Sequence, residues 1–490
     1  MSAAALSPSD TALVVIDMQR DFCEPGEDTY LGRLGLLHGL PIHCTRAPIK
    51  ALQLVLKAFR AQNYTIVHTR EGHRPTLADC PELKLWRSRM TGCELGSVGP
   101  GAACCSKALV RGQRSHDFVE ELRPYDNEDV IDGCGKGKFM GTDLDMVLRQ
   151  RNIRKLLFAG VTTSCCVATT LREAADLGYQ CFVLADGTGD CGAYDHADTL
   201  RMASNAPGVE GAVVDSVELL TSLGADAADI ATLPLVASLH GIGGVSRGVP
   251  IPVSVKEALD DERIARDGLH GLRAKLADEA SAFVRQLQLQ ESSSESPAVR
   301  DGFACIAACD GGRIDAWPHD PSTFTPANTA LVCVDACELS PLAEHHCADW
   351  HQQLERLRSS SSAAGLVVVL VGDRCGAADR TEVPAGSTRT VVVPRVGVGA
   401  GAFSSSALEV QLHTLGVRNV LLAGWGAATA INTTMRQASD RGFDCAVVVD
   451  CVGALEAADL YGVSASTMRK AIFSAAVHSD AVLAWIQSLA

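Results

Sequence analysis

Leu156-Leu157-Phe158-Ala159-Gly160-Val161-Thr162-Thr163-Ser164-Cys165-Cys166-Val167-Ala168-Thr169-Thr170-Leu171-Arg172-Glu173-Ala174 decides how this chain is read. The run is apolar and β-prone over 156–161, passes a short Thr/Ser turn, and continues in a helical pattern from about Ser164. A strand that feeds directly into a helix is the unit of a parallel α/β sheet. Cys166 is therefore placed in the first turn of a helix, at the carboxyl end of a strand. Backbone N–H groups there lack intrahelical partners and the helix dipole favours negative charge, so a stabilised thiolate is expected. A cysteine in that place reads as a nucleophile rather than as core filling.

Outward from this stretch, the chain repeats itself. Residues 156–185 recur without gaps at 420–449, so that Gly160 matches Gly424, Thr169-Thr170 match Thr433-Thr434, and Arg172 matches Arg436. Thr11-Ala12-Leu13-Val14-Val15-Ile16-Asp17 likewise recurs as Thr329-Ala330-Leu331-Val332-Cys333-Val334-Asp335. The second copy lacks an equivalent of roughly 72–120. In the first copy, strands are expected at 12–17, 64–69, 128–132, 155–161, 180–185 and 211–214, with helices at about 47–62, 142–151, 164–178 and 194–204. Short apolar strands without in/out alternation, each followed by a helix, imply a parallel sheet covered on both faces. The fold class expected is a three-layer α/β/α Rossmann-like sheet in two tandem copies. The first copy is assigned to 1–225, a helical and linker region to 226–327, and the second copy to 328–490. Within the middle region, 255–290 carries leucines at helical spacing, 290–296 reads as a flexible linker, and 303–317 suggests a hairpin.

Composition narrows the partners. A formal charge of −15 argues against nucleic acid and anionic membrane, both of which reward basic patches. No run approaches the ~18 apolar residues of a membrane-spanning helix. Met1–Asp10 has neither the charged region nor the apolar core of an export signal, so a cytoplasmic protein is expected. Of the 19 cysteines, Cys181, Cys333, Cys445 and Cys451 sit in apolar stretches and read as small core residues. Neither Cys104-Cys105 nor Cys333/Cys337 has the paired spacing of a zinc site, and no metal or other cofactor is expected.

Ligands of open parallel sheets bind beyond the carboxyl ends of the strands. Asp17, at the end of the first strand, Lys136, in the loop Gly133-Cys134-Gly135-Lys136-Gly137-Lys138-Phe139, and Cys166 all fall there. Singly these are a capping residue, a solvated lysine and a core cysteine. Together they suit covalent amide hydrolysis, in which a carboxylate takes the thiol proton, an ammonium steadies the charges, and the thiolate attacks a carbonyl.

The chain resembles the isochorismatase-like cysteine hydrolases over about 9–225. Three motifs carry the likeness: Val15-Ile16-Asp17-Met18-Gln19, Lys136 ahead of Phe139-Met140-Gly141-Thr142-Asp143-Leu144, and Gly160-Val161-Thr162-Thr163-Ser164-Cys165-Cys166-Val167. The resemblance implies Cys166 as nucleophile, Asp17 as general base and acid, and Lys136 as their electrostatic partner. It also implies a cis peptide at Val161–Thr162 and an oxyanion hole made by the Thr162 and Cys166 amides. Cys165 is expected to point away from the site. Members that bind a metal carry an Asp-x-His with a later His; His68-Thr69-Arg70-Glu71-Gly72-His73-Arg74-Pro75 lacks that spacing and looks like biuret and triuret hydrolases instead. That subgroup implies a small ureide cleaved through a cysteinyl acyl intermediate with release of ammonia, and substrate contact by Phe22, Glu71 and His73. Ala206-Pro207-Gly208-Val209-Glu210-Gly211 lacks the subgroup's substrate-binding Gln, which puts biuret itself in question. The alternatives are a related amidase acting on a carbamoyl or ureido compound, and a binding or scaffold protein without turnover. Family members commonly form oligomers, so a homo-oligomer or an intramolecular pseudo-dimer of the two copies is expected.

The second copy reads as silent. Asp335 persists, but Cys166 maps to Ala430 and Thr162 to Gly426. No lysine remains in Pro394-Arg395-Val396-Gly397-Val398-Gly399-Ala400-Gly401-Ala402-Phe403, and Arg395 lies too far upstream to be a secure equivalent. Its Gly-x-Gly-x-Gly run lacks the acidic residue of a dinucleotide site.

Overall fold

The computed structural model describes residues 6–40, 42–99, 106–191, 195–196, 199–200, 202–203, 211–237, 249–254, 324–336, 348–372, 390–395, 400–453 and 475–489. The helix expected at 255–290, the linker and the 303–317 hairpin lie outside these residues, as does most of Ala206–Gly211.

The first sheet contains β1 (Thr11–Ile16), β2 (Thr65–Glu71), β3 (Asp129–Gly133), β4 (Lys155–Val161), β5 (Gln180–Gly189) and β6 (Gly211–Val214) in the order β3-β2-β1-β4-β5-β6. All its pairings are parallel. Helices α1 (Ile49–Ala61), α2 (Leu144–Gln150), α3 (Ala168–Asp176) and α4 (Ser216–Ser222) intervene between the strands or follow them. β1 is buried at all six residues and β4 at six of its seven, as the unbroken apolar runs require of strands covered on both faces. The chain order reverses between β1 and β4, which opens a crevice at their carboxyl ends. Asp17 and Cys166 follow those two strands.

Gly160 shows how closely β4 packs on β1. It pairs with Ile16, has φ +107°, and a Cβ there would stand 2.0 Å from the Ile16 carbonyl oxygen. No L side chain fits, and the repeat preserves the requirement at Gly424 against the Val334 carbonyl.

The second sheet is built alike from β9 (Thr329–Val334), β10 (Val367–Val371), β11 (Thr390–Val393), β12 (Asn419–Trp425), β13 (Asp444–Gly453) and β14 (Ala475–Val477), in the order β11-β10-β9-β12-β13-β14. Helices α5 (Ala348–Ala363), α6 (Leu408–Thr414), α7 (Asn432–Asp440) and α8 (Ser479–Gln487) accompany it. Leu331, Leu354, Leu357, Val368 and Leu421 form part of its own apolar core. Each sheet anchors one of two compact units. In the intervening region β7 (Pro234–Ala237) and β8 (Val249–Ser254) form an antiparallel pair that the sequence reading did not anticipate. Among the described residues no helix is long and apolar enough to cross a membrane.

Candidate active site at the carboxyl ends of the first sheet

Asp17 leaves β1 with φ +51°, a left-handed conformation that costs a non-glycine residue about 1–3 kcal/mol and must be held by its surroundings. The Asp17 N–H donates to the Thr69 carbonyl at 3.2 Å, and the Thr69 hydroxyl donates to Asp17 Oδ1 at 2.8 Å. The other carboxylate oxygen lies 2.8 Å from a lysine Nζ, with both side chains fully buried. That lysine is Lys138, not Lys136.

The loop after β3 presents two lysines either side of Gly137, and the half-buried Lys136 is not the one at Asp17. The Lys138 ammonium also donates to the Gly135 carbonyl at 3.1 Å. The cation that faces Asp17 is therefore Lys138 and not the expected Lys136. A charge without solvent needs such partners, because an unpaired buried ammonium costs several kcal/mol.

Cys166 lies in a π-helical turn, Thr163–Val167, that precedes α3, rather than in the first regular turn of the helix. The turn is closed by the Cys165 and Val167 N–H groups, which donate to the Thr162 carbonyl at 3.1 and 3.2 Å. The Ser164 N–H donates to Asp190 Oδ2 at 2.7 Å, and the Thr163 hydroxyl bonds to His196 Nδ1 at 2.8 Å. Further along, the Thr169 and Thr170 hydroxyls donate to the Cys165 and Cys166 carbonyls, each at 2.7 Å. The Val161–Thr162 peptide is cis.

Glu71, at the end of β2, completes the cluster. The Cys166 thiol donates to Glu71 Oε2 at 3.4 Å, and ligand atoms of Asp17, Glu71 and Cys166 all lie within 4.8 Å of one another. Gln19 fixes Glu71 from behind. Its Oε1 accepts the Glu71 N–H at 2.7 Å while its Nε2 donates to the Glu71 and His116 carbonyls at 3.1 and 2.8 Å. Gln19 was quoted in the first motif without a role, and its function as a backbone clamp was not legible from position alone.

The electrostatics correct one expectation. A thiol bonded to Cys165, buried, and facing Asp17 and Glu71 is pushed well above its ordinary pKa, so the resting group is a neutral thiol. The helix-start argument for a stabilised thiolate loses to the Cys165 contact and burial, with the two carboxylates adding to them. Cys165 is the largest influence on the Cys166 thiol, so its side chain lies near the site rather than away from it as the sequence suggested. Burial, helped by Glu71, raises Asp17 despite the opposing Lys138. Burial depresses Lys138, but Asp17, Cys166 and Glu71 outweigh it and hold the ammonium protonated. A group able to take the thiol proton is therefore needed, and two carboxylates stand beside it.

Three carboxylate and thiol ligand atoms at this spacing could hold a metal ion. The position against Asp17 is taken by the Lys138 ammonium, which favours an internal cation over a metal at that carboxylate. Of the other expected contacts, Phe22 lies in the short helix Arg20–Cys23, almost wholly buried. The fully buried His73 ring has Nδ1 3.4 Å from Asp79 Oδ1. Of the three, the structure brings Glu71 into bonding contact with Cys166.

Strand order 3-2-1-4-5-6 with a cysteine, two carboxylates and a lysine at the switch point defines a parallel α/β protein with its chemistry at the ends of β1, β2 and β4. The chain belongs to the isochorismatase domain family, whose model matches residues 11–212 and 365–479, and it is a hydrolase of that family. The ureidoacrylate amidohydrolase RutB of Serratia proteamaculans is 31% identical over 192 residues, which is 39% of this chain and 74% of that protein. The protein of the same name from Pantoea ananatis is 29% identical over 201 residues, covering 39% and 73%. Among solved structures, a cysteine hydrolase from Pseudomonas syringae pv. phaseolicola is similar at 23% identity and TM-score 0.36, covering 45% of this chain and 94% of that one. N-carbamoylsarcosine amidase from Thermoplasma acidophilum is similar at 20% identity and TM-score 0.32, covering 42% and 96%.

Proposed function

We propose that the first copy is a metal-free amidohydrolase that cleaves a C–N bond of a small ureido compound through a cysteinyl acyl intermediate. The observation that carries this reading is the buried set Cys166, Glu71, Asp17 and Lys138. The thiol passes its proton to Asp17 and the thiolate attacks the carbamoyl carbon. The resulting oxyanion is received by the Thr162 and Cys166 amides. Collapse breaks the C–N bond as Asp17 returns the proton to the departing nitrogen, which leaves as ammonia. Water then attacks the thioester, Asp17 takes its proton, and the thiol is restored when the acyl group leaves as the acid.

Lys138 opposes the burial that raises Asp17 and so favours its ionised form between proton transfers, at the cost of a weaker base. Glu71 accepts the S–H in the resting site, and the N–H groups of a ureide would compete for the same carboxylate. Phe22 is proposed to form the lip, and His73, buried against Asp79, to act through the loop after β2. The named activities of the RutB relatives support a ureido substrate such as ureidoacrylate; biuret stays in the set on the strength of the His68–Pro75 run.

The test is ammonia release from ureidoacrylate, N-carbamoylsarcosine, biuret, triuret and nicotinamide by wild type and Cys166→Ala. Turnover of at least one ureido compound that vanishes in the variant supports the reading. Turnover of nicotinamide alone, or none by wild type, would sink it. EDTA treatment should leave the rate unchanged; a loss restored by a divalent ion would contradict the metal-free part.

A further inference from the structure

We propose that Glu173 is the positioning residue that sets Lys138 against Asp17, a role that rests on the hydrolase reading of the same site. Glu173 lies on α3, two turns beyond Cys166, and is almost wholly buried. Its Oε2 accepts the N–H of Phe139, the residue after Lys138, at 3.0 Å. On the other side of Lys138, a Cβ on Gly137 would stand 2.3–2.4 Å from the Glu173 carboxylate atoms. The carboxylate thus packs on the backbone before the lysine and bonds the backbone after it. The helix that carries the nucleophile thereby also fixes the loop that carries the ammonium.

The second copy repeats the device with an amide. Gln437, the counterpart of Glu173, accepts the Phe403 N–H through Oε1 at 3.1 Å. A Cβ on Gly401 would meet that amide at 2.2–2.4 Å. An acceptor oxygen over a glycine is therefore what the loop requires, and negative charge is not. This fixes the expected outcome for each variant.

The experiment follows Cys166 alkylation by iodoacetamide against pH, located by tandem mass spectrometry, alongside kcat and KM on whichever ureido compound of the panel wild type turns over. Glu173→Gln should alkylate within about twofold of wild type at pH 8. Glu173→Ala should alkylate about tenfold more slowly, because a displaced Lys138 no longer steadies the thiolate, and the midpoint of its profile should move to higher pH. In turnover the loss should fall on kcat, with KM within about threefold. Alkylation does not depend on the substrate, so it separates failure of this proposal from failure of the ureide reading. Unchanged alkylation and pH profile in Glu173→Ala would overturn the proposal, as would a Glu173→Gln as impaired as Glu173→Ala. Should Glu173→Ala not fold, Gly137→Ala supplies the same perturbation from the loop side and should slow alkylation comparably. A Gly137→Ala that behaves as wild type overturns the proposal; with both variants folded, the double variant should be no worse than the poorer single.

Discussion

The two copies share a frame and differ in what stands on it. In both, the strand-end aspartate is held in the left-handed region, Asp17 at φ +51° and Asp335 at φ +50°. In both, its N–H bonds the neighbouring strand, at the Thr69 carbonyl in one and the Val371 carbonyl in the other. That backbone strain survives where the cysteine is gone, so the fold maintains it independently of chemistry. The side chains part company. The Thr69 hydroxyl that bonds Asp17 becomes Val371, and Cys166 becomes Ala430. The Gly426 N–H is spent on the Gly453 carbonyl at 2.9 Å, whereas the Thr162 N–H makes no such bond among the described residues.

The cation did not disappear; it changed its place in the chain. Arg395 Nη2 lies 2.9 Å from Asp335 Oδ2 and donates to the Ala400 carbonyl at 3.0 Å, much as Lys138 bonds Asp17 and Gly135. Arg395 stands two residues after the end of β11, and its long side chain reaches the aspartate from there. The sequence reading had set it aside as too far upstream. A largely enclosed aspartate still needs a counter-ion, so the second copy keeps the pair in space while carrying no nucleophile at the Cys166 position. What separates the two copies is the thiol rather than the ion pair.

This contrast can be broken most sharply at the thiol. Cys166→Ala should lower kcat by about 10⁴-fold or more, while Ala430→Cys should change nothing in ammonia release. A large effect of the second substitution would mean that the second copy takes part in turnover. Next come the two lysines. Lys138→Met should cost about 10³-fold in kcat and about 3–5 kcal/mol in stability, because it strands a buried carboxylate. Lys136→Met should stay within about threefold on the same assay; the reverse order would restore the sequence assignment. Smaller still is Arg395→Leu, expected to destabilise the second unit by about 2–3 kcal/mol in a denaturant melt and to leave kcat alone. Finally, catalysis needs Asp17 ionised to receive the thiol proton, and burial raises Asp17. The acid limb of kcat/KM should therefore rise above the ordinary carboxylate range, with no fall at moderately alkaline pH because Lys138 is also raised. An acid limb near pH 4 would show that Asp17 is not the group titrating.

Much of the frame was legible because it is periodic. Apolar runs fixed the strands to within a few residues, and the gapless recurrence of 156–185 at 420–449 exposed the duplication. The site was legible where a residue is tied to a strand end, as Asp17, Glu71 and Cys166 are. It was not legible in the loop after β3, because its conformation is set by a carboxylate on a distant helix. Nothing local separates Lys136 from Lys138. The thiol's electrostatics were missed because the contact with Cys165 and the burial of the site, with Asp17 and Glu71 arriving from β1 and β2 adding to them, raise the thiol, whereas the local sequence displays only the helix start.

One measurement addresses the claim that a single cysteine in a single copy does the chemistry. Wild-type protein is acid-quenched during turnover of the ureido substrate, digested, and read by tandem mass spectrometry. The result expected is one acyl adduct, on Cys166, absent from Cys166→Ala. An adduct on Cys165 or on any cysteine of the second copy, or undiminished ammonia release by Cys166→Ala, would contradict it.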